Sequence, residues 1–193
     1  MRPPGFRGAV VRPLPGAYRF TMKNFEVNNM NYIYTPAHSC ILFSLFALLL
    51  IAAAYSDIKT MRIPDVIPAV IAAISLLSLL LHKGPAYPSR LAGAIFCLIL
   101  LGTVSLLTEG GIGVGDIKLM TASGLFLGLH ASILSIFMSY ITAGLWYLIP
   151  LIRGKVHGQT PAPMVPFFAP ALIICGLWYR EILDAYFSLT GMI

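Results

Sequence analysis

A glycine-rich segment that ends in an aspartate is the part of this sequence with the clearest chemical potential. Residues 110–120 read GGIGVGDIKLM, and Asp116 lies where the glycine run gives way to an apolar run. Glycines let a backbone adopt positive φ values and approach another chain closely. The same pattern also fits a turn and a helix that Asp116 merely caps, because aspartate is a preferred N-cap residue. A carboxylate in apolar surroundings is costly unless it has a partner or meets water, which makes Asp116 a candidate functional residue.

A second aspartate, Asp57, follows another apolar run in the same way and precedes a short charged loop. Two carboxylates that lie close together cannot both ionise without a large cost, so such a pair shares a proton. The ionised acid can then take a proton from water while the protonated acid polarises a carbonyl group, which is the chemistry of an aspartic protease. This chemistry requires neither a metal nor a cofactor, and we expect neither. Asp65, in the same loop, fits better as a charge favoured by the dipole of the next helix.

The composition is that of an integral membrane protein. Of 193 residues, 58% are hydrophobic and 10% are charged, whereas soluble domains have about 45–50% apolar and about 25% charged residues. Several apolar runs approach the ~20 residues that span a bilayer. The net charge of +6 resides in the N-terminal tail and the short loops, where it fits lipid headgroups and topology better than nucleic acid. We therefore expect the lipid bilayer, and no nucleic acid, as a partner.

Cysteine and histidine give no sign of a metal site. The three cysteines lie singly in different apolar runs, and no Cys-x-x-Cys occurs. The four histidines are not within helical spacing of one another, and each falls near an expected membrane boundary.

Apolar runs and breakers predict an all-α, polytopic membrane protein with about six transmembrane helices. The fourth segment is short, so it either starts below the membrane surface or is shielded by neighbours. The sixth contains Pro166 and Pro170, which predict a kink in its first half. The predicted spans are approximately 37–55, 66–81, 91–107, 117–129, 131–152 and 164–178.

Two regions follow from this pattern. Residues 1–35 are polar and interrupted by prolines, which predicts a disordered tail, and residues 36–193 form the membrane-embedded domain. The tail resembles neither a domain nor a targeting sequence, so Met22 or Met30 is an alternative start.

The number of crossings places both aspartates on one side of the membrane. Asp57 ends the first span and Asp116 begins the fourth, so two passes separate them. Basic residues of the loops are more numerous on the aspartate side, which makes that side cytoplasmic by the positive-inside rule, although the basic tail opposes this orientation. The counted residues are Lys59, Arg62, Lys118, Arg153 and Lys155, against Lys83, Arg90 and Arg180.

Three segments carry a resemblance to the type IV prepilin peptidases, which are membrane aspartic proteases with a Gly-x-Gly-Asp motif. Residues 110–120 are similar to the signature of that family. Asp57 and the downstream Arg62-Ile63-Pro64 resemble the first catalytic acid of the family and the loop that follows it. Residues 165–170 (VPFFAP) are similar to its Pro-Phe-x-x-Pro element. The resemblance covers roughly residues 37–176.

The resemblance implies a function and a set of site residues. It implies an endopeptidase in the cytoplasmic membrane of a prokaryote that cuts the short basic leader from prepilin-like proteins at the cytoplasmic face. Asp57 and Asp116 would be the catalytic pair. Gly113, Gly115 and Lys118 would shape the site and bind substrate.

Two departures and two alternatives accompany this interpretation. Asp65 stands where the family often has Asn, and the chain has no loop with paired Cys-x-x-Cys motifs. It therefore resembles the short, peptidase-only form, and no methyltransferase activity is expected. The alternatives are a presenilin-like protease that cuts within other membrane spans and a small transporter in which the acids relay protons. The substrate and the oligomeric state stay open.

Overall fold

The computed structural model describes residues 38–81, 85–152 and 163–189. The chain divides into two compact units, Met1–Asn31 and Tyr32–Ile193, and every described residue belongs to the second. The predicted disordered tail at residues 1–35 lies outside the described residues.

The described residues form six helices and no strand, which confirms the all-α prediction. In chain order the helices are α1 (His38–Thr60), α2 (Val66–Leu80), α3 (Tyr87–Leu107), α4 (Val114–Leu127), α5 (Leu129–Ile152) and α6 (Val165–Leu189).

Three of these helices contain segments that are long and apolar enough to cross a membrane, namely Cys40–Thr60, Tyr87–Leu107 and Leu129–Pro150. Val66–Leu80 and Val165–Tyr179 are shorter apolar helices. Large apolar side chains cover the outer surface, and Leu106 in α3 is 83% exposed. A soluble protein rarely exposes so much contiguous apolar surface, whereas lipid accepts it. The chain is an integral membrane protein.

The ends of two helices differ from the prediction in a way that matters for the aspartates. Asp57 lies inside α1 and not just past its end, because the helix continues to Thr60, whose hydroxyl donates to the carbonyl oxygen of Ser56. The helix stops where Met61 adopts a left-handed backbone with φ of 50°. At the other site, α4 begins at Val114, so Asp116 falls within its first turn and Gly113 is the N-cap.

The residue with irregular backbone in the last helix lies farther along the chain than the predicted kink, although Pro170 lies inside the helix. Pro166 lies in the first turn of α6, where a missing N–H breaks no helical hydrogen bond. The residue with non-helical dihedral angles is Trp178 (φ −127°, ψ 21°), and the helix continues beyond it to Leu189.

Helix α4 can be shorter than a membrane span because neighbouring helices enclose it. It packs against α2, α3, α5 and α6, which agrees with the shielded alternative. Its contact with α3 is backbone to backbone: a Cβ atom on Gly93 would lie 2.7 Å from the carbonyl oxygen of Gly124. Small residues permit this close packing of membrane helices. The helix ends at Gly128, whose φ of 83° suits glycine.

A buried arginine joins α2 to α3 at the end of the bundle opposite the aspartates. Arg90 is 2% exposed. It donates from Nε to the carbonyl oxygen of Pro85 (2.9 Å) and from Nη1 to the carbonyl oxygen of Ser75 (3.2 Å) and to the hydroxyl of Ser78. Arg90 therefore serves the interior of the fold, although the sequence suggested a loop charge.

Candidate active site

Asp57 is held by a helix that lies far away in the sequence. Its side chain sits in the last turn of α1 and is 6% exposed. Its Oδ2 atom accepts a hydrogen bond of 3.0 Å from the backbone N–H of Val165, the first residue of α6. The backbone of Met164 also contributes a hydrogen bond to this carboxylate. The position of Asp57 is thus fixed by the packing of α1 against α6.

Asp116 is the third residue of α4, and its two carboxylate oxygens have different surroundings. Oδ2 lies beside the N-cap, since a Cβ atom built on Gly113 would be 3.4 Å from it, and the Gly113 backbone contributes a hydrogen bond to the carboxylate. This is the reciprocal half of a capping box. Oδ1 is buried and has no hydrogen-bond partner among the described residues.

The two aspartates interact electrostatically. Burial, followed by the charge of Asp57, raises the pKa of Asp116 from its ordinary value of 3.8 to about 6. Asp116 precedes the apolar part of α4 and lies outside the three segments long enough to span the membrane. This effect of Asp57 on Asp116 indicates that the two sequence-predicted acids lie near each other.

Contacts between the flanking segments show that this site lies at one end of the bundle. The loop between α1 and α2 packs on the first turn of α4, and a Cβ atom on Gly115 would lie 3.2 Å from Cβ of Ile63. In the same interface the Nζ atom of Lys118 is 2.8 Å from Oδ1 of Asp65. The glycine at position 115 therefore permits a close approach of the chain's own loop.

The structure gives Lys118 and Asp65 a joint role that the sequence did not suggest. Lys118 pairs with Asp65, whereas the sequence suggested that Lys118 shapes the site and binds substrate. Asp65 occupies the N-cap position of α2, just before the helix, and makes no side-chain cap hydrogen bond. Gly113 has an ordinary extended backbone with φ of −64°. The positive φ of this segment falls instead on Gly110.

Sequence reasoning missed two tyrosines of α5 that face the acids. Tyr140 interacts electrostatically with Asp116, and Tyr147 does so with Asp57. Each ring packs edge-on against an aromatic ring of α6, Tyr140 on Phe168 at 5.8 Å and Tyr147 on Phe167 at 5.7 Å between centroids. No sequence signal distinguished either tyrosine as part of the site.

An apolar groove of about 340 Å³ is lined in part by Ile58, the residue after Asp57. It lies between the end of α1, the end of α5 and the start of α6. Its lining residues are Ile58, Trp146, Tyr147, Pro163, Pro166 and Phe167. No cluster of three or more His, Cys, Asp or Glu side chains suited to a metal occurs among the residues the structure describes.

The chemical capacity of the site is general acid and base catalysis. A carboxylic acid with a pKa near 6 exchanges protons readily near neutral pH. A second carboxylate beside it can hold the opposite protonation state. The pair can therefore accept one proton and donate another across a bound molecule.

Comparisons with known proteins identify a family for the chain. A family model described as the type IV leader peptidase family matches residues 44–149, a range that includes both aspartates. Three curated relatives, each named prepilin leader peptidase/N-methyltransferase, come from Bacillus subtilis, Aeromonas salmonicida and Pseudomonas aeruginosa.

The similarity to these relatives is moderate and covers most of this chain. The Bacillus subtilis relative is 28% identical to this chain over 146 residues, which are 76% of this chain and 59% of the relative. The identity is 28% over 159 residues (80% and 55%) for Aeromonas salmonicida, and 27% over 147 residues (74% and 51%) for Pseudomonas aeruginosa. The chain thus spans between half and three fifths of the length of the relatives it matches. No solved structure matches it.

Proposed function

Because the chain belongs to the type IV leader peptidase family, we propose that it is a membrane aspartic endopeptidase that removes the short basic leader from prepilin-like proteins. We assign Asp57 and Asp116 as the catalytic pair. The observation that carries this proposal is the packing of the loop that follows Asp57 against the first turn of α4, which holds Asp116, at one end of the helix bundle. The names of the relatives support the peptidase activity.

Peptide hydrolysis by such a pair requires one ionised and one protonated carboxyl group. The ionised group takes a proton from water as the water oxygen attacks the scissile carbonyl carbon, and the protonated group gives its proton to the carbonyl oxygen. The first group then passes its proton to the leaving nitrogen as the C–N bond breaks. One hydroxyl of the tetrahedral intermediate returns a proton to the second group, which restores the starting state.

The other predicted site residues would act by shaping the site. Gly113 and Gly115 leave two positions at the start of α4 without side chains, and Gly115 lets the α1–α2 loop lie directly against the helix. Lys118 would hold the same loop through Asp65. The position of Asp116 relative to Asp57 would depend on these contacts.

We further propose that the site faces the cytoplasm in the cytoplasmic membrane of a prokaryote. Lys59, Arg62 and Lys118 belong to the aspartate end, and such residues favour the cytoplasmic side. A substrate cut between a basic leader and an apolar helix would present its scissile bond at a membrane surface. Asp57 in the last turn of α1 and Asp116 in the first turn of α4 suit that depth.

Co-expression with a type IV prepilin in a host without its own prepilin peptidase tests the proposal. The unaltered chain should convert the prepilin to the faster-migrating processed form. Asp57→Asn and, separately, Asp116→Asn should abolish conversion while the protein still accumulates in membranes.

Glu109→Gln is the matched control, because Glu109 is an exposed acid just before the glycine-rich segment and has no assigned role in the site. It should retain most of the cleavage. Retained cleavage in either of the other two variants would contradict the two-acid mechanism. Cleavage of a generic single-span protein, with no cleavage of prepilin, would favour the presenilin-like alternative instead.

A further inference from the structure

The hydrogen bonds of the first turn of α6 give Asp57 a second structural role. A helix begins with backbone N–H groups that have no partner within the helix. In α6, Pro166 has no N–H, and the N–H groups of Phe167 and Phe168 donate to the carbonyl oxygen of Met164 at 3.0 and 3.2 Å. The N–H of Val165 donates to Asp57 Oδ2. Asp57 therefore caps α6 from a different helix.

Capping favours the ionised form of an acid. A carboxylate accepts hydrogen bonds from N–H donors more strongly than a neutral carboxyl group does, and the positive end of the helix dipole attracts a negative charge. Asp57 lies near the C-terminal end of α1, which disfavours a negative charge there. The direct hydrogen bond from α6 opposes this effect at a distance of 3.0 Å.

Asp116 lacks the equivalent support on one oxygen. The first turn of its own helix reaches Oδ2 through Gly113, but Oδ1 is buried without a donor among the described residues. A buried charged oxygen without a donor is costly, whereas a protonated carboxyl group carries no such charge. The raised pKa of Asp116 agrees with this asymmetry.

Resting on the proposed function, we propose that the first turn of α6 assigns the roles of the two acids. The Val165 N–H positions Asp57 as the carboxylate that takes the proton from water, and Asp116 enters the reaction protonated. Val165 is thus a positioning residue that acts through its backbone.

The assignment specifies every proton transfer of the reaction. Asp57 takes a water proton as the new C–O bond forms, and Asp116 gives its proton to the carbonyl oxygen. Asp57 then gives the acquired proton to the nitrogen as the C–N bond breaks, and a hydroxyl of the intermediate returns a proton to Asp116. Both acids end as they began, so no further reactant is needed.

Val165→Pro tests the role of the N–H directly. Proline is accepted at the first position of a helix, so the substitution deletes the donor and keeps the helical backbone. Val165→Ala is the matched control, because it removes a similar part of the side chain and keeps the N–H. The measurement is the pH dependence of prepilin cleavage by purified protein in detergent.

The acid limb of that profile is the decisive feature. With the Val165 N–H removed and only the Met164 hydrogen bond left, Asp57 should become protonated at higher pH. The acid limb of Val165→Pro should therefore move upward by about one pH unit, a tenfold effect. Val165→Ala should keep the acid limb of the unaltered chain, whatever its absolute rate. Coincident acid limbs in the two variants would overturn the inference. They would leave the proposed function intact if Asp57→Asn and Asp116→Asn are inactive.

Infrared spectroscopy tests the assignment without Val165→Pro or any activity. Asp57→Asn keeps only Asp116 of the pair, and Asp116→Asn keeps only Asp57. Difference spectra of each against the double variant isolate the C=O band of the remaining carboxylic acid. The band should persist to higher pH for Asp116 than for Asp57, and the reverse order would overturn the assignment.

Discussion

Lys118 and Asp65 form an ion pair that joins the loop after α1 to the first turns of α4, with Nζ 2.8 Å from Oδ1. These two segments carry or adjoin the two aspartates of the site. Both side chains are substantially exposed, 49% for Lys118 and 74% for Asp65. Such a pair adds little to global stability, but it constrains the contact through which the segments approach.

Reversing the charges one at a time and then together tests whether this pair matters for cleavage. Asp65→Lys and Lys118→Asp should each lower the cleavage rate by up to about fivefold, the equivalent of an exposed ion pair of ~1 kcal/mol. The double variant restores the attraction with exchanged partners and should recover most of the rate. Rates measured at low and high salt provide a check, because screening should reduce the difference. A double variant as slow as the slower single variant would contradict a positioning role.

The close contact between α3 and α4 predicts that substituting alanine for glycine destabilises the protein at Gly93 but not at Gly102. Gly93→Ala places a Cβ atom 2.7 Å from the carbonyl oxygen of Gly124, a distance that forces the two helices apart. Overpacking of this kind costs about 1–3 kcal/mol, so the apparent melting temperature in detergent should fall by several degrees.

Gly102→Ala is the control for that substitution. Gly102 lies in the same helix, and its added Cβ would meet nothing within 4 Å. Alanine is the better helix former by about 1 kcal/mol, so this variant should be unchanged or more stable. Equal melting temperatures for the two alanine variants would show that the helices can separate without cost.

Hydrophobic runs were enough to predict the fold class, but not the ends of the helices. Hydropathy falls where residues become polar, at about Ser56. Helix α1 nevertheless continues to Thr60, because polar residues can remain helical and the stretch contains no proline or glycine before Pro64. The position of the irregular residue in α6 was not predicted either. Pro166 lies in the first turn, where no N–H is needed, and Pro170 lies inside the helix, but the residue with non-helical dihedral angles is Trp178.

Counting membrane crossings was enough to place the two aspartates on one side of the membrane. The contacts around each aspartate could not be predicted from the sequence. The cap on Asp57 is a backbone N–H, and every residue except proline has one, so no residue type marks Val165. The pairing of Lys118 with Asp65 depends on how two distant segments pack. The burial of Arg90 also depends on tertiary packing, because a basic residue near a predicted loop resembles an exposed surface charge until other helices enclose it.

Arg90 provides a prediction about stability at the end of the bundle opposite the site. Arg90→Ala leaves the hydroxyl of Ser78 and the carbonyl oxygens of Ser75 and Pro85 without the guanidinium they now contact. Loss of a buried charged donor costs roughly 3 kcal/mol. Membrane accumulation and melting temperature should both fall, while Arg62→Ala, at an exposed position, should keep its melting temperature close to that of the unaltered chain. Unchanged accumulation of Arg90→Ala would contradict a structural role.

The surroundings of Asp116 predict that its removal stabilises the protein at neutral pH. Its pKa is about 6 in the folded protein, above the ordinary 3.8, so the folded state binds the proton more tightly than the unfolded state does. The stability that Asp116 contributes is therefore highest below about pH 4, falls as pH rises to about 6, and stays low above that. Asparagine is neutral throughout. Asp116→Asn should consequently be more stable than the unaltered chain at pH 7 by up to roughly 3 kcal/mol, since one pKa unit is about 1.4 kcal/mol.

Melting temperatures in detergent between about pH 4 and pH 8 measure this effect. The gap between Asp116→Asn and the unaltered chain should widen as pH rises through the range from about 4 to 6 and then stay constant. Glu109→Gln, which neutralises an exposed acid just before the glycine-rich segment, should show no such widening. An Asp116→Asn variant that is less stable at pH 7, or whose gap does not change with pH, would mean that the Asp116 carboxylate is well accommodated in its ionised form.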